Sequence, residues 1–68
     1  MILVKMRHIR AADFCRRGAR AWFDQHDLPW GEFLDDGLPV ERIEATGDAL
    51  AYRVAKIARE EAEHGREQ

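Results

Sequence analysis

Between residues 48 and 63, Leu50, Ala51, Val54, Ala55, Ile57, Ala58 and Ala62 recur at helical spacing, with Arg53, Lys56, Arg59, Glu60 and Glu63 filling the opposite positions. That pattern predicts an amphipathic helix over 48–63 with a broad apolar stripe. Four of the seven stripe residues are alanines, so bulky groups from elsewhere can approach this helix closely. Thr46-Gly47-Asp48 supplies capping chemistry at its start, and His64 and Gly65 mark its end, leaving a tail at 64–68 expected to fray. Lys56 with Glu60 and Arg59 with Glu63 are spaced as i,i+4 ion pairs.

The bulk such a helix needs is concentrated in one place. Both tryptophans and two of the three phenylalanines lie within A-W-F-D-Q-H-D-L-P-W-G-E-F-L at 21–34. Upstream, Ala12, Cys15, Ala19, Trp22 and Phe23 fall on one helical face, with Arg10, Asp13, Arg16, Arg17, Arg20 and Asp24 on the other. Gly18 interrupts this stretch, so the segment 9–26 is expected to be helical with a break near Gly18, the alternative being a close backbone contact there. Pro29 suits the first turn of a short helix over 29–36 that presents Trp30, Phe33 and Leu34 to the core and ends at Gly37. Pro39 permits a helical turn at 39–45 through Val40 and Ile43. Ile2, Val4 and Met6 alternate with Leu3, Lys5 and Arg7, which reads as an extended arm over 1–7 that packs on the domain or pairs with another chain. The expected fold is all-α: a small single-domain helical bundle of two longer helices and short helical turns, with a possible extended N-terminal arm. The rings at 22, 23 and 33 are assigned to the core, and Trp30, at a loop-to-helix junction, is the one most exposed to other roles.

With 68 residues there is room for one domain, which hides only about 60% of the surface of its unfolded chain. Cys15 is the only cysteine, so no internal disulfide and no Cys-based zinc cluster can form within one copy, and a reducing compartment fits. The apolar start Met1–Met6 is too short for a signal-peptide core, and no stretch approaches the roughly 20 apolar residues of a membrane span. A cytoplasmic location without membrane contact is therefore expected.

The formal net charge of −2 conceals a strong polarity along the chain. Residues 1–20 carry Lys5, Arg7, Arg10, Arg16, Arg17 and Arg20 against Asp13 alone. Residues 21–48 carry Asp24, Asp27, Glu32, Asp35, Asp36, Glu41, Glu44 and Asp48 against Arg42 alone. Such polarity suits an acidic partner, nucleic acid or self-complementary association, unless the two regions neutralise one another within the fold.

Catalytic chemistry has few candidates. Serine is absent, Thr46 has a capping role, and Cys15 on a helix face with alanines reads as a small buried apolar residue. Asp24, His26 and Asp27, and Glu60, Glu61, Glu63 and His64, are metal-ligand types without the spacing of a recognised site. No catalytic, metal-binding or cofactor-binding residues are assigned, and no cofactor is expected. The segment 33–40 has the outline of a helix-turn-helix, but its second helix would carry Glu41 and Glu44 around Arg42, a face that repels phosphates.

The order H-I-R-A-A-x-x-C-x-x-G-A-R-A-W-F at 8–23, H-x-L-x-W at 26–30, F-L-x-x-G at 33–37 and E-A-T-G-D-A-L-A at 44–51 resembles small helical proteins encoded by temperate tailed phages and bacterial prophages. The resemblance covers residues 8–59 and implies a phage or prophage setting, hence host cytoplasm or virion, without carrying over any functional residue. In that setting the expected role is a protein-binding adaptor or inhibitor that docks on an acidic surface of a host or phage protein. Arg7, Arg10, Arg16, Arg17, Arg20 and Trp30 are its candidate partner-binding residues. The alternatives are a minor virion or assembly component that forms a homo-oligomer, and a helix-turn-helix-like DNA-binding regulator.

Overall fold

A computed structural model describes residues 1–66. In chain order the elements are β1 (Leu3–Val4), α1 (Met6–Ala11), α2 (Arg16–Gln25), α3 (Trp30–Asp36), β2 (Leu38–Pro39), α4 (Val40–Glu44) and α5 (Ala49–Arg66). Most of the described chain is helical, but the expectation of a purely all-α fold needs correction. The arm finds its partner within the same chain: β1 pairs antiparallel with β2, Leu3 opposite Pro39 and Val4 opposite Leu38, and Val40 N–H donates to the Ile2 carbonyl at 2.9 Å. Proline has no N–H to give to a ladder, which keeps this ribbon short.

The long helical segment is also divided differently from the expectation. The break falls at residues 12–15, ahead of Gly18, because α1 closes in a Schellman motif: Phe14 N–H donates to the Ile9 carbonyl at 3.1 Å and Asp13 N–H to the Arg10 carbonyl at 2.9 Å. Asp13 takes the left-handed position usually given to glycine, with φ at 60°. The end of α2 repeats the device, with Asp27 at φ 54°, Leu28 N–H donating to Phe23 and Asp27 N–H to Asp24. Gly18 lies inside the first turn of α2, where a Cβ would stand 3.0 Å from the Phe14 ring and 3.3 Å from the Cys15 sulfur. It marks a close approach.

Relieving the left-handed aspartate gives a test of this reading. Asp13→Gly is expected to stabilise the protein by roughly 0.5–1 kcal/mol, raising Tm by a few degrees in a thermal melt. An unchanged or lower Tm contradicts the assignment of Asp13 as the helix stop.

Helix α5, 18 residues long, spans about 27 Å, in a molecule 36 Å along its longest dimension. It begins at Asp48, whose Oδ1 accepts the Leu50 N–H at 2.8 Å, and Thr46 Oγ1 in turn accepts the Asp48 N–H at 3.3 Å. Residues 64–66, expected to fray, continue the helix, and the part of the expected tail at residues 67 and 68 lies outside the described residues. Its small-residue stripe of Ala51, Ala55 and Ala58 is buried with Val54, and α4, α1 and β1 pack on it. The aromatic core lies between α2 and α3. The Phe23 ring is fully buried, 4.6 Å from the Phe33 ring, 5.1 Å from Trp30 and 5.7 Å from Trp22, centroid to centroid. These edge-on and tilted geometries are the favoured ones for aromatic pairs. Leu34, expected on the same apolar face, instead lies 39% exposed.

Among the described residues, no helix is long and apolar enough to cross a membrane.

Candidate functional site

The Cys15 sulfur caps α2 by accepting the Gly18 N–H at 3.3 Å. Cys15 is thus exposed at a helix start, in place of the buried apolar position expected for it. Starting the helix there puts Arg16 and Arg17 in its first turn and Arg20 one turn further on, while Ala19, Trp22 and Phe23 turn into the core. From α3, Trp30 reaches the same place, half-buried by its contacts with Phe23 and Phe33. Arg16, Arg17, Arg20 and Trp30 together line an open groove of about 340 Å³.

Of the six candidate partner-binding residues, these four come together, and the other two do not join them. Arg10 is exposed on α1, outside the groove lining. Arg7 is engaged elsewhere, its Nε donating to Glu61 Oε2 at 3.1 Å and its Nη2 to the other carboxylate oxygen, so it ties α1 to α5.

Among the described residues no ion pair joins the two charged regions of the sequence. The ion pairs of the described residues draw instead on the C-terminal helix: Arg59 holds Glu44 with two hydrogen bonds of 3.0 and 2.8 Å and approaches Glu41 at 3.8 Å, while Glu61 holds Arg7. The i,i+4 pair expected of Arg59 with Glu63 is replaced by the reach of Arg59 across to α4, and the pair expected of Lys56 with Glu60 is not formed. Among the described residues, Arg10, Arg16, Arg17 and Arg20 have no carboxylate within ion-pair distance.

Two further polar clusters are built from histidines. His8 is buried, with Nδ1 accepting the Lys5 N–H at 2.8 Å, which stops the arm and starts α1. Its Nε2 lies 3.1 Å from Glu61 Oε2, within reach but off the direction of a hydrogen bond. Bonding to Arg7, then the proximity of His8, holds the Glu61 carboxyl down at about 2. Near the start of α5, His26 packs at a tilt against Trp22, centroids 4.5 Å apart, and approaches Asp48 at 3.9 Å. The buried Trp22 N–H has no acceptor in hydrogen-bond geometry, yet it lies close enough to Asp48 to help hold that carboxyl below its ordinary value, after the Leu50 N–H, which contributes most. The first cluster ties the start of α1 to α5, and the second joins the end of α2 to the start of α5.

Comparison with protein-family models, with curated proteins and with solved structures finds no match.

The role of Glu61 was not legible in the sequence, since its partners Arg7 and His8 lie more than fifty positions away and no local pattern links them. Because the folded carboxyl sits below its ordinary value of 4.5, the stability it contributes is complete above that pH and is lost as pH falls towards about 2. Glu61→Gln is expected to lower stability at neutral pH and to flatten its decline between about pH 4.5 and 2, as read by chemical denaturation across that range. An equally steep decline in the variant contradicts the role given to Glu61.

Proposed function

We propose that the protein is a small protein-binding module, an adaptor or inhibitor, that docks on an acidic surface of a partner protein through the basic face of α2. In the phage or prophage setting implied by the resemblance, that partner is a host or phage protein.

The observation that carries this reading is that α2 is charged against its own dipole. Arg16 and Arg17 occupy the first turn, at the positive end, and Asp24 the last turn, where no basic residue stands. Each misplaced charge costs about 0.3–1 kcal/mol, and Arg16 with Arg20 adds a like-charge i,i+4 pair costing a few tenths more. In a marginally stable domain such local conflicts concentrate where function requires them. An anion seated between the guanidiniums converts the conflict into a gain. Arginine and tryptophan are also the residue types that dominate binding energy at protein interfaces.

The double variant Arg16→Glu/Arg17→Glu separates function from folding. It places acids where the helix dipole favours them, so helicity is expected to be unchanged and Tm equal or higher. Recovery of the partner with the tagged protein from its native host is expected to be lost. Undiminished recovery overturns the assignment.

A second reading, self-association, draws on Glu32, Asp35 and Asp36, which are exposed on α3 and could meet the groove of another copy. Mass in solution across concentration separates the two. Against DNA recognition stands the length of α4, five residues, with Glu41 and Glu44 both turned to Arg59.

A further inference from the structure

The groove is small and lopsided, and both properties bear on what can occupy it. Its volume of about 340 Å³ is open to solvent and lined by three arginines and one indole. A folded surface binding as a rigid body needs roughly 800 Å² from each partner, whereas a groove of this size takes a few consecutive side chains. One flank is basic. On α3, Leu34 follows Trp30 by one helical turn and is exposed, so the two form a short apolar strip on one side of the helix, Trp30 lining the groove and Leu34 extending it outside that lining. Beyond that strip, the outer side of α3 carries Glu32, Asp35 and Asp36, all exposed. A long, uniformly anionic chain leaving the groove across α3 meets those carboxylates and is repelled. A short anionic segment is not.

We infer that the occupant of the groove is a short acidic peptide segment of a partner chain, carrying carboxylates for Arg16, Arg17 and Arg20 and one aromatic or aliphatic side chain for the strip formed by Trp30 and Leu34. This rests on the reading of the α2 face as a docking surface and names what docks there. Carboxylates meet guanidinium groups in paired, charge-assisted hydrogen bonds. The apolar side chain supplies the part of the affinity that salt does not screen. Single-stranded nucleic acid shares the anionic and stacking chemistry of such a ligand. Its unbroken run of phosphates sets it apart, because the acidic side of α3 closes the basic surface on one flank.

The test is fluorescence anisotropy of labelled probes with the full chain. The probes are a short aspartate- and glutamate-rich peptide with one central phenylalanine, the same peptide with alanine in its place, and single-stranded oligothymidylate. The phenylalanine peptide is expected to bind tightest. Exchange of its phenylalanine for alanine, and separately Arg20→Glu in the protein, are each expected to weaken binding about tenfold. Leu34→Gln, a substitution at an exposed position that leaves the core intact, is expected to weaken the phenylalanine peptide several-fold and to leave the alanine peptide unaffected. Equal affinity for the two peptides overturns the apolar strip. Tighter binding of oligothymidylate, with displacement of the peptide, overturns the peptide in favour of nucleic acid. If no peptide binds while Arg16→Glu/Arg17→Glu still abolishes recovery of the partner, the segment is overturned and the docking surface stands. If that variant recovers the partner undiminished, the docking surface itself falls.

Discussion

Phe23→Ala is expected to leave the protein largely unfolded at room temperature. The ring is fully buried and meets Trp22, Trp30 and Phe33, so its removal leaves a cavity in the middle of the aromatic cluster. Truncation of a buried phenylalanine costs about 3–5 kcal/mol. A chain of this length holds roughly 3–10 kcal/mol in total, and small domains lie towards the lower end. Trp22→Ala is expected to act similarly, since Trp22 is only 9% exposed. Circular dichroism and a thermal melt check both. A Phe23→Ala protein that melts cooperatively near the parent's Tm contradicts a core centred on this ring.

The second large effect is expected at Gly37, where the reason is backbone geometry. The residue has φ 83° and ψ 171°, a region that only glycine occupies readily. A Cβ there would stand 2.9 Å from the Val4 carbonyl oxygen and 3.2 Å from the Lys5 side chain. Gly37→Ala therefore combines strain of about 1–3 kcal/mol with a clash that pushes β1 away from the chain entering β2. The expected result is a loss of about 3 kcal/mol or more in chemical denaturation, with amide exchange accelerated first at Val4 and Leu38. A neutral substitution would contradict the close approach of the two strands.

What the sequence made legible, and what it did not, follows from the range of the forces involved. Helix α5 was plain because its stripe repeats over many residues and its cap at Asp48 is local. The core rings at 22, 23 and 33 were legible from the same periodicity, whereas the partial exposure of Trp30 was signalled by its place at a loop-to-helix junction. The stops after α1 and α2 were not, because aspartate at positions 13 and 27 occupies a conformation for which glycine is the usual signal, and the nearest glycine drew the break to position 18. The arm showed its alternation, but its partner lies some 35 residues away at Leu38–Pro39, a pairing with no local signature. The arginines of the basic face were legible one helix at a time. Their grouping with Trp30, and the removal of Arg7 to Glu61, depend on contacts between elements that only the folded chain brings together.

The account turns on a division between the two tryptophans: Trp22 is consumed in closing the interior, and Trp30 stands at the edge of an unneutralised basic groove. Iodide quenching of fluorescence in the single-tryptophan variants Trp22→Phe and Trp30→Phe measures this directly, because iodide is an anion drawn to arginine. The expected result is strong quenching of Trp30, weakened by Arg16→Glu/Arg17→Glu, and protection of Trp22 in the folded protein. Equal quenching of the two indoles, or quenching of Trp30 that ignores the arginine substitutions, would contradict it.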